Sequence, residues 1–219
     1  MTIKASIKLP NFKSDFEKGV KQELSRQFQK KAPVFINRIK KVLAPTIEEA
    51  LKSSRAYIAI ASDSNIRGQI GLESLSKFDY IINYWANNIY VDYKKNKGLG
   101  IINIGAIRSD YSDVLTLPES VFVSSNMAGN QTVVEWLNWL LLVGTQPVII
   151  GYEFRPGNYP QSRTGVGIMI RQQGGGWSVP SEVAGVAGNN FVTETAEMLE
   201  TQIGAIIQRE LTKITQGIK

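Results

Sequence analysis

The chain has 219 residues, 43% of them hydrophobic and 20% charged, and carries a formal net charge of +6. This is enough length and apolar content for a sizeable core, and the composition is that of a folded protein rather than a disordered one. Histidine and cysteine are both absent. Their absence excludes disulfides, cysteine nucleophiles, serine–histidine dyads and imidazole acid–base chemistry, and removes most ordinary zinc sites. Paired carboxylates or a lysine base remain open, so an enzyme is disfavoured rather than excluded. No apolar run reaches the length of a bilayer span, and MTIKASIKLP lacks the apolar stretch of a signal peptide. Synthesis and assembly in the cytosol, with no membrane partner, are therefore expected.

The charge is unevenly placed. Residues 1–55 hold 13 Lys or Arg against 5 Asp or Glu, a balance of +8, and the rest of the chain holds 12 against 14, a balance of −2. A basic segment of this kind meets nucleic acid, a membrane surface or an acidic protein, or is simply a solvated helix face. No internal repeat, low-complexity stretch or linker divides the chain. One α+β domain over 1–219 is expected, with 1–55 a basic and largely helical region.

In chain order, Ile3, Ala5 and Ile7 alternate and Pro10 follows closely, which predicts a short edge strand. Asn11 is placed to cap a helix. Phe12, Phe16, Val20, Leu24 and Phe28 recur every four residues. A helix turns in slightly fewer than four, so the row slants around the cylinder and suits more than one neighbour. Pro33 predicts a kink or break, and Pro45 a restart. Ile36, Ile39, Leu43, Ile47 and Leu51 carry the apolar stripe onward. RAYIAIAS reads as a strand or as more helix, and the glycines of IRGQIGL predict a turn. Leu75, Phe78, Ile81, Ile82, Trp85 and Ile89 mark an amphipathic helix.

From Tyr90 the pattern becomes β. IYVDY and GIINIGAI predict a hairpin with its loop at Lys94 to Gly98, and Val121 to Val123 a further strand. VVEWLNWLLLVG reads as a short apolar helix stopped by Gly144. VIIGYEF and VGIMI read as strands joined by a long connection. QQGGGW is expected to turn, with Trp177 and Val179 opening another strand. Asn189 and Asn190 open a last helix, with Phe191, Thr195, Leu199, Ile203, Ile206 and Leu211 mostly on one face. The fold class is thus α+β, an antiparallel or mixed β-sheet packed by N- and C-terminal helices.

Five places could carry function. GQIGLES and QQGGGWS are rich in glycine, but neither has the Lys and Ser or Thr of a phosphate loop, so no cofactor is expected. Asp110 and Asp113 are close enough to bind a hard cation or to serve a carboxylate-dependent hydrolase, although Asp at this spacing more often organises a turn. Arg155 and Arg163 flank an irregular loop and could meet phosphate or carboxylate on a neighbour; otherwise they are solvated loop charges. Trp136 and Trp139, three apart on one helical face, serve either the core or an assembly interface. Lys13, Lys18, Lys21, Lys30 and Lys31 are the candidate contacts for DNA or an acidic partner. No known DNA-reading motif accompanies them, so any DNA contact is expected to be transient and non-specific.

Three blocks lie close together and in fixed order: AIRSDYSDVLTLPES, then VVEWLNWLLLVGTQPVIIGYEF, then SRTGVGIM. They resemble the neck and tail-completion proteins of contractile-tailed bacteriophages. The residues carrying the likeness are Ser109 to Leu115, Glu135 to Gly144, Ser162 to Met169, Trp177 to Pro180 and Asn189 to Phe191. IRGQIGL and the Trp85 region resemble the family's upstream part, and the basic first 55 residues match only loosely. After Gly144, where the pattern has an acidic residue, Thr145 and Gln146 stand instead. The resemblance implies a structural virion protein without an active site. It implies copies closing head to tail into a ring, with a hexamer as the expected size, at the head–tail junction. The portal-side connector and the tail terminator or tail tube would be its neighbours, and DNA would pass through the centre.

Overall fold

The computed structural model describes residues 2–6, 15–96, 99–125 and 131–216. Asn11 and Lys13 lie outside the described residues, as do the side chains of Lys18, Lys21 and the row from Phe12 to Phe28. The chain is α+β, with antiparallel sheets and long helices toward both ends. It divides into two compact units: Met1–Glu48, Trp85–Ser109 and Met198–Lys219 in one, Glu49–Tyr84 and Asp110–Glu197 in the other.

The first unit holds a three-stranded sheet in the order β1-β3-β2, where β1 is Thr2–Ser6, β2 is Tyr90–Asn96 and β3 is Leu99–Gly105. The predicted edge strand is thus on the edge, with Ile3 opposite Ile104. The β2–β3 hairpin is tighter than expected, since Lys94 to Asn96 are still paired. Helix α1 runs unbroken from Asp15 to Lys52, through Pro33 and Pro45. Of the predicted kink or break at Pro33 and restart at Pro45, the break and the restart do not occur. Both rings are exposed, while Phe35, Ile39 and Leu43 bury the opposite side. Their burial offsets the hydrogen bonds that proline removes. Leu199, Ile203, Ile206 and Ile207 of α7 (Phe191–Gln216) contribute to the same unit's core.

The second unit begins at the end of α1. Ser54 caps α2 (Arg55–Ser62) by accepting the Tyr57 N–H, so RAYIAIAS is a helix of its own. Asp63 then caps α3 (Ser64–Gln69). Half of the predicted IRGQIGL turn is therefore helix, and the turn itself falls at Ile70–Gly71, where Gly71 takes φ +79°. Helix α4 (Ser76–Asn87) buries Phe78, Ile81, Ile82 and Trp85 as its period predicts. After α5 (Ser112–Leu115) comes a 3₁₀ turn, Pro118–Ser120, and the hairpin β4 (Phe122–Ser125) and β5 (Gln131–Val134). Val133 and Val134 belong to β5, so the tryptophan helix is shorter than its apolar run: α6 spans only Trp136–Leu141.

A third sheet pairs β6 (Pro147–Pro156) with β7 (Gly167–Ser178). Among the described residues the strands thus form three small sheets rather than a single one. QQGGGW is not a turn. It continues β7, and Trp177 sits opposite Ile149 near the strand's end rather than at the start of another. Register shifts between Pro147 and Ile149 and between Ile150 and Tyr152 absorb the extra residues as bulges.

Candidate functional site

Trp136 and Trp139 are interior residues of the second unit. Trp136 is 0% exposed, donates its ring N–H to the Glu119 carbonyl at 2.8 Å and meets Phe78 edge-on at 5.5 Å. Phe78 in turn contacts Tyr57 and Phe191, at 5.3 and 5.4 Å. Trp139 stacks at a tilt on Trp177, 5.1 Å between ring centres, and the Trp177 ring N–H donates to Gln69. Of the two roles read from sequence, core or assembly interface, both tryptophans take the core role within this unit.

Asp110 and Asp113 are divided by local chemistry. The Ser112 N–H and hydroxyl both donate to Asp110 Oδ1, at 3.1 and 2.9 Å. That is the turn-forming role of a short acidic side chain. Asp113 lies in the first turn of α5. Among the described residues no group of three or more acidic side chains gathers to hold a metal ion.

Arg155 and Arg163 part company. The Arg155 side chain is 58% exposed and lies 3.4 Å from Glu153 on its own strand. Arg163 is drawn inward. Its guanidinium lies 3.8 Å over the Phe122 ring, donates to Glu73 at 2.9 Å and donates closely to the Gly71 carbonyl. The left-handed Gly71 makes this possible, because a Cβ there would overlap the Phe122 ring and crowd the guanidinium. The clasp ties the 157–166 connection to the turn before α4.

Beside the clasp is a cleft of about 270 Å³, bordered by Leu72, Lys77, Phe122, Val123 and Arg163. Lys77 spends one donor on the Val121 carbonyl, and Ser74 and Ser76 hydrogen-bond to one another. The cleft thus offers a mixed polar and apolar wall whose cations are already engaged. Nothing local announces it, since Gly71, Phe122 and Arg163 are far apart along the chain.

On the outer face of β4–β5, Val123 and Val133 stand directly opposite each other and are 50% and 59% exposed. Ile150 on β6 is 82% exposed. From sequence, Val123 and Ile150 fall in predicted strands and Val133 in the apolar helical run, with nothing to mark them as exposed. Lys30 is exposed on α1 and Lys31 half-buried.

Comparison of the chain with protein-family models, curated proteins and solved structures finds no match.

Proposed function

We propose that this chain is a structural virion protein of a tailed bacteriophage, forming a closed ring in the neck that joins the portal-side connector to the tail. The observation that carries the reading is the ordered series of blocks from Ser109 to Phe191. Support comes from where those blocks fall. They supply Tyr111, Trp136, Trp139, Arg163, Trp177 and Asn190, which make the principal joints of one compact unit. A likeness concentrated at such joints is what a shared fold leaves behind. The work is mechanical, through fit between copies and neighbours, and needs no cofactor. Electron microscopy of the intact particle tests it: the chain is expected as a ring at the head–tail junction. Finding it elsewhere, or finding only monomer by native mass spectrometry with connector and tail proteins present, overturns it.

A second reading, contact with the DNA backbone, is favoured by α1. Arg26, Lys30, Arg38, Lys40 and Lys41 are all exposed. At helical pitch they fall within a face about 160° wide, opposite the buried Phe35 and Ile39. Such a face would line a lumen or act alone. DNA affinity that falls steeply with salt, and falls less steeply in a Lys30, Lys40 and Lys41 to Ala variant, is expected. Absence of binding at low salt removes it.

A further inference from the structure

We infer that the cleft beside the Arg163 clasp binds a carboxylate joined to a short apolar group. All its lining residues belong to the second unit, and the inference does not rest on the ring reading.

The lining is of two kinds. Lys77, Arg163, Ser74 and Ser76 supply donors, while Leu72, Phe122 and Val123 supply apolar surface. Lys77 is the informative residue. It stands in the first turn of α4, where free N–H groups already concentrate positive charge, so a cation there is misplaced for the helix. No carboxylate among the described residues pairs with it. It is half-buried, and its 2.5 Å bond to the Val121 carbonyl positions the ammonium without neutralising it. Two ammonium donors remain. A half-buried cation at the wrong end of a helix, with no counter-ion, breaks a local rule, and such breaks collect at functional sites. A bound anion would supply the missing charge.

The charge of that anion follows from the balance. Two cations, Lys77 and Arg163, share the lining with one carboxylate, Glu73, for a net +1. The Glu73 side chain bonds the guanidinium yet is 61% exposed, and remains a negative charge on the border of the cleft. A monoanion matches this balance. A phosphate dianion, or a nucleic-acid strand with its run of phosphates, is repelled by Glu73. The apolar lining selects further. Val123 is 50% exposed, and Phe122 is fixed by the guanidinium 3.8 Å above its ring. An aliphatic group covers such surface, which a phosphodiester backbone cannot use. The Ser74 and Ser76 hydroxyls lie 2.8 Å apart. Only one O–H is spent between them, so the other is left for an oxygen of the ligand.

Two-dimensional NMR of the full chain, titrated with 3-methylbutanoate, tests the site. Saturable shifts of the Ser76, Lys77 and Val123 signals are expected, with a Kd on the order of 1 mM for a ligand of about seven heavy atoms. The neutral 3-methylbutanamide, and acetate without the branched group, should each bind about tenfold more weakly. Equal binding of the amide or of acetate, or tighter binding of dimethyl phosphate, overturns the ligand class. Absence of saturable shifts overturns the site. Lys77→Met keeps the stem and removes the charge, and should weaken binding about tenfold, with Lys77→Arg recovering most of it. Unchanged affinity in a folded Lys77→Met overturns the proposal. Glu73→Gln raises the balance from +1 to +2 and should tighten binding about threefold. That side chain is exposed, so this variant decides the matter if Lys77→Met fails to fold: no tightening overturns the charge argument. An N-acetylated tripeptide ending in a valine carboxylate distinguishes the sources. Tighter binding than 3-methylbutanoate supports the class and assigns the site to the end of a polypeptide. Binding of the free acid alone supports the class and assigns it to a small carboxylic acid.

Discussion

The Asn190 amide donates to the Tyr111 hydroxyl at 2.8 Å, across 79 positions of sequence. The same side chain starts α7: its Oδ1 accepts the N–H groups of Val192 and Thr193, at 3.1 and 3.2 Å. Thr193 returns the favour, its hydroxyl accepting the Asn190 N–H at 2.9 Å, a reciprocal cap with Thr in the place of the usual Glu or Gln. Nδ2 also reaches the carbonyls of Leu141 and Val186, both at 3.1 Å. One buried amide thus caps a helix and ties three other segments to it.

Asn190→Ala removes the cap, worth about 1 kcal/mol, and strands buried acceptors at about 1–3 kcal/mol each. A loss of about 3–5 kcal/mol is expected in urea unfolding. Asn190→Asp keeps the cap acceptor but loses both amide donors and buries a charge. It should therefore be at least as damaging at neutral pH. An Asp variant close to the parent would show that the amide donors contribute little.

The Arg163 clasp makes a different forecast. The Glu73 side chain is 61% exposed, so its ion pair is well screened and Glu73→Gln should cost less than about 0.5 kcal/mol. Arg163→Ala also removes the stacking on Phe122 and the bond to the Gly71 carbonyl, and should cost about 1.5–3 kcal/mol. Arg163→Lys should recover little, because an ammonium cannot cover the ring and fork to two acceptors at once. Denaturation midpoints of the three variants check the ranking. Equal losses for Glu73→Gln and Arg163→Ala would mean that the ion pair, not the stacking, holds the clasp.

Helix α4 and the buried face of α7 were legible in the sequence because side-chain burial there follows helical period: Phe78, Ile81, Ile82 and Trp85 in one, Leu199, Ile203 and Ile206 in the other. The β2–β3 and β6–β7 hairpins were legible as alternating or β-branched runs. QQGGGW was misread because glycine carries no side chain to weigh, and its pairing with Ile150 is a tertiary fact. Arg163 was placed in the right loop, but its bond to Glu73 was not legible: Glu73 lies 90 positions away, and nothing local announces it. The exposed Val123, Val133 and Ile150 escaped notice for a related reason. Hydrophobicity states what a residue prefers, whereas exposure depends on what the fold places over it.

The unbroken α1 carries its own forecast. Pro33 and Pro45 are exposed within it, so neither side chain contributes core packing. Each lacks the N–H that would reach the carbonyl four residues earlier, which is the Lys41 carbonyl for Pro45. Replacement by Ala restores that bond, offset in part by a freer unfolded chain. Pro45→Ala should therefore raise stability by about 1–2 kcal/mol and increase far-UV helicity. Loss of stability would mean that proline's restriction of the unfolded chain outweighs the restored hydrogen bond.

Glu210 gives the pH dependence. Its side chain is 5% exposed and hydrogen-bonds Lys213 at 2.5 Å, with Arg209 at 3.5 Å. The Lys213 hydrogen bond, then its charge and those of Arg209 and Arg38, hold the carboxyl below its ordinary value, while burial pushes the other way and loses. A carboxylate whose pKa is lower folded than unfolded binds its proton more readily when unfolded. Its contribution to stability is complete above the unfolded pKa, near about 4.3, and drains away as pH falls through the lower folded value. Stability should thus drop between about pH 5 and pH 3 in the parent, and drop less in Glu210→Gln, which cannot titrate there. Lys213→Met should shrink the same slope, because the first cause of the shift is gone. Unfolding free energies measured across that range decide it: parallel curves for parent and Glu210→Gln would place the acid sensitivity on other carboxylates.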